Sequence, residues 1–395
     1  MTVVSDTVAP ARRRARRPER SAVLDGVRGL AILLVVLSHS WKVWPEDRRG
    51  DLGSFAALFA SGSVAVSIFF VITGFLVTRT FTARLDAVGP VGPLAWFTGR
   101  LLRISVQVWV LLAAVLLASR FDPTDVTPAA VTRESLVSAA TYTWNTYVRD
   151  NALSARSDIG ALYFLCIDVQ VLSALLLAVL VLARARRVLT IGVLVLLVGS
   201  SVWRALSYQQ DGWFHATLTT TTRMDAILWG VAAALLADRL VALRRDGDGL
   251  LGAATLVVLG CVASTAFWGL EAYFTVVGPV VGAGTALVVL ADTTGRPRAG
   301  YADRLWSWRP FVVLGRASLT VFLWHIPIFE AVARHTPQWH PLPRTLVAAA
   351  LLVVVVVVVE RFVARPVTAL VARLSAASAR RPGRATAPTR ESVSA

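Results

Sequence analysis

Residues 346–359 read LVAAALLVVVVVVV, fourteen consecutive positions without a polar side chain. With its flanks, this run approaches the roughly 20 residues that an α-helix needs to cross the hydrocarbon core of a bilayer. Ala31–Leu37 and Val171–Leu182 are runs of the same kind. Of the 395 residues, 56% are hydrophobic and only 16% charged, whereas a soluble domain carries about 25% charge. The spacing of the apolar runs predicts helices over 24–44, 60–79, 101–119, 159–182, 188–204, 217–237, 250–269, 272–291, 310–332 and 345–366. The fold class is therefore an all-α polytopic membrane protein of about ten transmembrane helices.

The net charge is +16, and the basic residues are nearly all arginine. In a soluble protein that balance would point to nucleic acid. Here the positions of the charges point elsewhere. With an even number of spans both termini lie on one side. About 27 basic residues then fall in segments on that side, against about nine in the opposite loops. Basic residues gather on the cytoplasmic side of membrane proteins, so both termini are expected to be cytoplasmic and no nucleic-acid partner is implied. The arginines of the N-terminal tail (Arg12, Arg13, Arg14, Arg16, Arg17 and Arg20) and Arg244, Arg245, Arg296 and Arg298 all count toward the inner side. The first apolar segment is read as a retained signal anchor, because Asp25 and Arg28 interrupt its start and no small-residue cleavage site follows Leu37. Three regions result: a basic tail over 1–21, a membrane domain over 22–366, and an Ala-, Arg- and Pro-rich tail over 367–395 read as disordered.

Residues 120–158 form a long outer loop with the aromatic run Tyr142–Tyr147, read chiefly as interfacial anchoring and otherwise as a platform for a sugar ring or a cover over the pore. Cys166 and Cys261 lie in apolar segments without ligand spacing and are read as small core residues. His215, His335 and His340 fall in outer loops and are read as solvated.

Ionisable groups inside a span are costly and mark function. The first helix carries Asp25, Arg28 and His39. The eleven-residue step from Arg28 to His39 returns to within about 20° of the same face, and Asp25 lies within about 60° of both. Other spans carry Asp168 and Gln170, Arg223 and Asp225, and Ser318 and His325. At about 1.5 Å per residue, His39, His325, Asp168, Arg223 and Asp225 all lie about 8–12 Å below the outer surface. A lower layer holds Arg28, Arg100, Arg103, Arg316 and Glu360. Arginine forks suit phosphate, so this layer predicts an anionic ligand arriving from the cytoplasm.

Leu24-Asp25-Gly26-Val27-Arg28-Gly29-Leu30-Ala31 followed by His39 resembles the opening signature of the acyltransferase 3 family of integral membrane proteins. Further blocks follow in family order. Ser67–Thr78 is similar to the second-helix motif, with Thr73 where Ser is usual. Arg100-Leu101-Leu102-Arg103 is similar to the paired-arginine motif. Tyr163–Gln170 resembles Trp-Ser-Leu-Ser-Val-Glu-x-Gln, with Tyr163 for Trp and Asp168 for Glu. Arg223–Gly230, Leu314–Ser318, Leu323–Pro327 and Glu360–Pro366 resemble later blocks. The resemblance runs from about residue 22 to 366.

The resemblance implies transfer of an acyl group, acetyl by default, from acyl-CoA to a hydroxyl of a glycan, lipid or small metabolite in a bacterial cytoplasmic membrane. The membrane part must then complete the transfer, since the family's occasional extra domain is missing from this sequence. Arg28, Arg100, Arg103 and Arg316 are the candidates for the CoA phosphates. His39 is the candidate base or acyl carrier. Asp168 is expected to orient an imidazole or hold the acceptor, and His325 to be a second base, an orienter or a core group. Asp25, Arg223, Asp225 and Gln170 are candidates for holding substrate. No metal is expected, because two histidines without an HExxH-type pair are too few ligands. A secondary transporter is the rival class. It should show two related halves, and no such symmetry is evident.

Overall fold

The structure, a computed structural model, describes residues 21–48, 53–240, 247–293 and 300–380. The arginines placed at 12–20, 244–245, 296–298 and 381–390 lie outside the described residues. Those described form sixteen α-helices and no strand. In chain order the helices are α1 (Ala22–Ser38), α2 (Ala56–Ala60), α3 (Gly62–Val88), α4 (Val91–Phe121), α5 (Ala129–Ala140), α6 (Trp144–Asp150), α7 (Tyr163–Val181) and α8 (Arg186–Leu218). Then come α9 (Thr220–Leu236), α10 (Gly247–Ala272), α11 (Gly278–Asp292), α12 (Tyr301–Trp306), α13 (Arg309–Arg316), α14 (Ser318–His335), α15 (Pro341–Val359) and α16 (Arg365–Arg380).

Every segment expected to span is helical. By length and composition, seven helical stretches of the described residues are able to cross a membrane, or eight if the bent pair α13–α14 makes one span. Two facts separate this count from ten. Helix α9 has 17 residues, slightly short of a full span. The stretch Gly247–Asp292 counts as one of 46 residues, yet 46 residues of straight helix would run to about 70 Å, twice a bilayer core. Gly269 breaks it at φ 66°, and α10 and α11 pack side by side.

Three boundaries differ from expectation with consequences for function. Helix α1 stops at Ser38 and leaves His39 as its C-cap. Helix α8 does not stop at residue 204 but continues to Leu218, with a break at Gly212. The ninth expected helix is bent by 76° between Arg316 and Ser318. The region from 367 is also not a disordered tail throughout, since α16 continues to Arg380. Its alanines and arginines are strong helix formers, the π-helical turn Glu360–Ala364 joins it to α15 without a break, and Val371 is buried against α4.

Close packing depends on glycine. A Cβ on Gly26 would lie 1.6 Å from the Trp306 carbonyl oxygen, and one on Gly29 would lie 2.0 Å from that of Phe311. A Cβ on Gly315 would lie 1.7 Å from the Asp25 carbonyl oxygen. Helix α1 thus meets α12 and α13 backbone to backbone. Gly74 and Gly230 do the same for α3 and α9, against Ile227 and Val71. Small residues at such crossings let helices approach where water supplies no driving force.

Residues 122–158 fold as α5 and α6 against the end of the bundle that carries His39. Arg156 is buried there, Nη2 lying 2.7 Å from Asp125 and 2.5 Å from Asp158, with Nη1 donating to Thr132. Burial raises the Asp125 pKa, but hydrogen bonds from Thr127 and Arg156 outweigh it and hold the carboxyl at about 2. Ser157 and Lys42 both bind Glu330 of α14. The centre of the aromatic run is packed inward. Trp144 is 0% exposed, the Tyr142 hydroxyl lies 2.7 Å from Ser105 of α4, and Tyr142 itself holds a left-handed φ of 58°. Packing leaves Trp144 no free face for a sugar or a lipid. Both cysteines are free and buried, as read from the sequence. His335 and His340 are exposed, as read from the sequence, His335 lying 3.3 Å from Asp122 and His340 capping α15 by accepting from the Leu342 N–H.

Replacing Gly315 by alanine forces α1 and α13 apart and should cost about 1–3 kcal/mol or more. Thermal unfolding in detergent should show a lower midpoint for Gly315→Ala, and an unchanged or higher one for Gly192→Ala, where a Cβ meets open space inside α8. The lowered Asp125 pKa stabilises the docked loop above about pH 4, and that contribution is lost as pH falls toward 2. Pepsin cleavage within 122–158 should accelerate over that window, and Asp125→Asn should be cut readily already at pH 4.

Candidate active site

The bent α13–α14 pair, α1, α4 and α7 enclose an open cavity of about 2550 Å³. Nine arginines and four carboxylates line it, so its field favours an anion. Asp25, Arg28, Arg100, Arg103, Asp168 and Arg316, six of the residues singled out from sequence, all face it. Arg79, Arg84, Arg309, Arg361 and Arg365 extend the basic lining. The α1–α13 contact sets the first pairings: Arg316 Nε lies 3.0 Å from Asp25 Oδ2, and Arg28 Nη2 donates to Ser318 Oγ at 3.0 Å, at the α13–α14 bend. Glu360 is held by Thr320 at 2.5 Å, and Thr320 also lies 3.0 Å from Gln107.

Asp168 belongs to this cavity and not to the histidines. Its Oδ2 accepts from Arg100 Nη2 at 3.2 Å. The residue is 2% exposed, and Oδ1 is buried without a hydrogen bond. An orphaned carboxylate oxygen beside a row of arginines leaves acceptor capacity for a donor from a ligand.

His39 and His325 meet as the sequence spacing anticipated for their depth. Their ring centroids are 5.1 Å apart, and His325 Nε2 lies 3.3 Å from His39 Nδ1. Two carbonyls determine the tautomers, since a carbonyl only accepts. His325 Nδ1 lies 2.7 Å from the Phe322 oxygen and so carries a proton. His39 Nδ1 lies 2.9 Å from the Val35 oxygen and carries one too. In the neutral pair His325 Nε2 therefore accepts, and His39 keeps its lone pair on Nε2. Among the described residues that nitrogen makes no hydrogen bond. It has the orientation of a base awaiting a proton. The cavity reaches Val36, Phe164 and Phe322, and the Phe322 ring lies 5.8 Å from that of His325.

Arg223, Asp225 and Gln170 lie elsewhere. Asp225 pairs with Arg204 at 2.7 Å, while Arg223 binds the Tyr273 hydroxyl, which also meets Ser67 at 2.8 Å. This is a second buried network, between α3, α8 and α9. Gln170 donates to the Tyr142 carbonyl at 2.8 Å and accepts from Thr220 at 2.5 Å, tying the outer loop to the bundle. Equal depth in four helices thus did not mean one site, because residue spacing gives height along an axis and not position around the bundle. Arg204 escaped the sequence reading because it fell on an expected helix end, where a cation reads as a boundary. The signal was the partner that Asp225 needed inside the membrane. Among the described residues no three His, Cys, Asp or Glu side chains form a metal-ligating group.

The comparisons agree with this geometry. Residues 22–361 match the family model described as an acyltransferase domain. The peptidoglycan O-acetyltransferase OatA of Listeria monocytogenes serovar 1/2a is 24% identical over 317 residues, which cover 77% of this chain and 49% of that protein. The chain thus spans about half the length of that curated relative. No solved structure matches. The family match begins at the first residue of α1 and ends just past Glu360, so it takes in both the arginine cavity and the histidine pair, and the chain belongs to the acyltransferase 3 family.

Proposed function

We propose that this protein transfers an acyl group, acetyl in the first instance, from acyl-CoA to a hydroxyl of a glycan. A glycolipid or secondary metabolite is the other acceptor class that the geometry accommodates. The observation that carries this reading is one continuous path, from a cavity with nine arginines to a phenylalanine that touches His325. The proposal sets the chain in a bacterial cytoplasmic membrane with ten passes and both termini inside. Ten passes follow if α9 crosses, α10 and α11 cross separately, and α13–α14 makes one span.

In this reading the CoA phosphates lie on Arg28, Arg100, Arg103 and Arg316, whose guanidinium forks match phosphate. Asp168 orients Arg100 as a positioning residue. Asp25 does the same for Arg316. The pantetheine arm runs outward along the face shared by Arg28 and His39, which are about 16 Å apart along the axis. The acceptor arrives from the opposite side. His39 Nε2 takes the hydroxyl proton as the oxygen attacks the thioester carbonyl, the C–S bond breaks, and the CoA sulfur leaves and takes up a proton. In the two-step variant Nε2 attacks first and the acyl group rests on His39. Either way His325 accepts from His39 Nδ1–H and steadies the imidazolium or acyl-imidazole that forms. Arg223, Asp225 and Gln170 act through the fold in this scheme. The relative's name, a peptidoglycan O-acetyltransferase, supports a glycan acceptor. Family membership favours transfer over the transporter reading.

Removing the base should cost 10²–10⁴-fold in rate. His39→Ala should lose at least a hundredfold of acyl transfer in purified protein while keeping CoA affinity, and full transfer by this variant would remove His39 from the mechanism. Each charged hydrogen bond to phosphate contributes about 1.5–3 kcal/mol. Arg28→Gln and Arg103→Gln should therefore each weaken CoA binding tenfold or more by isothermal titration, with the double variant weaker still.

A further inference from the structure

Between the arginines and the histidines the cavity changes character. Along α14, Ser318 is bonded to Arg28, Phe322 follows about 6 Å further, and His325 about 4.5 Å beyond that. Phe322 does not stand alone. Phe164 of α7 packs on it with centroids 5.1 Å apart, stacks on Phe70 at 4.4 Å and meets Phe69 edge-on at 6.2 Å. Phe69 and Phe322 are buried, whereas Phe164 is half-buried, and all three line the cavity. Neither histidine lines it. A layer of aromatic rings therefore stands across the path at the height where a thioester must pass. Phe164 occupies the place where the motif quoted from the sequence has a serine, so its ring fills space that the smaller side chain leaves open.

We propose that Phe164, with Phe322, sets the length of the acyl group that this protein accepts. This inference rests on the acyl-CoA reading. The arginines hold the phosphates at a constant height, and the arm that joins them to the sulfur has constant length. The acyl group leads the sulfur and must enter the ring layer before the thioester can reach the histidines. A two-carbon group slips past the edge of Phe164 with a small rotation of the ring. Each further methylene pushes against rings that Phe70 and Phe69 hold in place, and close-packed interiors yield poorly to added volume.

The test is equilibrium binding of CoA, acetyl-, propionyl-, butyryl- and hexanoyl-CoA to the full chain in lipid nanodiscs. It uses wild type, F164S, F164L and F322L, with thermal unfolding to identify the folded variants. F164L keeps most of the packing volume and carries the comparison if F164S does not fold. Wild type should bind butyryl-CoA at least tenfold more weakly than acetyl-CoA, and that ratio should fall to threefold or less in F164S and shrink in F164L and F322L. An unchanged ratio in every folded variant, with CoA binding intact, would overturn the role of the rings and leave the donor site standing. A wild type that binds neither CoA nor any acyl-CoA would overturn the donor reading itself, and this inference with it.

Discussion

The close approach of α1 to α13 is the constraint on which the site depends. Gly26, Gly29 and Gly315 remove the side chains that would hold the two backbones apart. That contact sets Asp25 beside Arg316 and Arg28 beside Ser318, at a bend of 76°. From there both helices run in the same direction toward the pair His39 and His325. The arginine end and the histidine end are thus joined by two rigid elements whose relative height is set by three missing Cβ atoms. Polar residues in a lipid-facing helix would have nowhere to turn, and this arrangement lets them turn toward one another.

Electrostatics explains how the cavity tolerates its charge. Asp25 and Asp168 neutralise Arg316 and Arg100, and four carboxylates against nine arginines leave an excess of positive charge along the wall. Open to solvent, such a wall attracts a polyanion and loses little by waiting for it. The second network joins Arg204 to Asp225 and Arg223 to Tyr273 and is fully buried, with Arg204 Nη2 and Arg223 Nε and Nη2 left without hydrogen-bond partners. There the partners come from α8, α9 and the π-helical turn Tyr273–Val277, and the pairings tie those elements together. Access to solvent separates the two clusters.

Much of this was legible in the sequence. Every helix long and apolar enough to span falls on a run read from the sequence, and helical periodicity placed Arg28 and His39 on one face. The motif glycines were visible too, but their reason was not, since a glycine's importance lies in the backbone that approaches it. Pairing around the bundle was beyond reach. Asp168 was placed by depth with the histidines, yet Arg100 from another helix claims it. Arg204 was hidden by a helix that runs fourteen residues past its expected end at 204. Helix α16 was hidden by a composition that reads equally as tail or as helix until Val371 finds α4. Phe164 carried no chemical signal of its own, and only the rings around it make it part of the path.

In the proposed mechanism one molecule of CoA reaches from the arginine cavity to His39. A cryo-electron microscopy structure of the full chain with acetyl-CoA tests it most directly. Phosphate density is expected on Arg28, Arg100 and Arg103, and the thioester carbonyl carbon within about 3–3.5 Å of His39 Nε2 or of an acceptor oxygen hydrogen-bonded to it. Phosphates seated elsewhere, or a thioester lying beside Arg223 and Asp225 instead of the histidine pair, would contradict it.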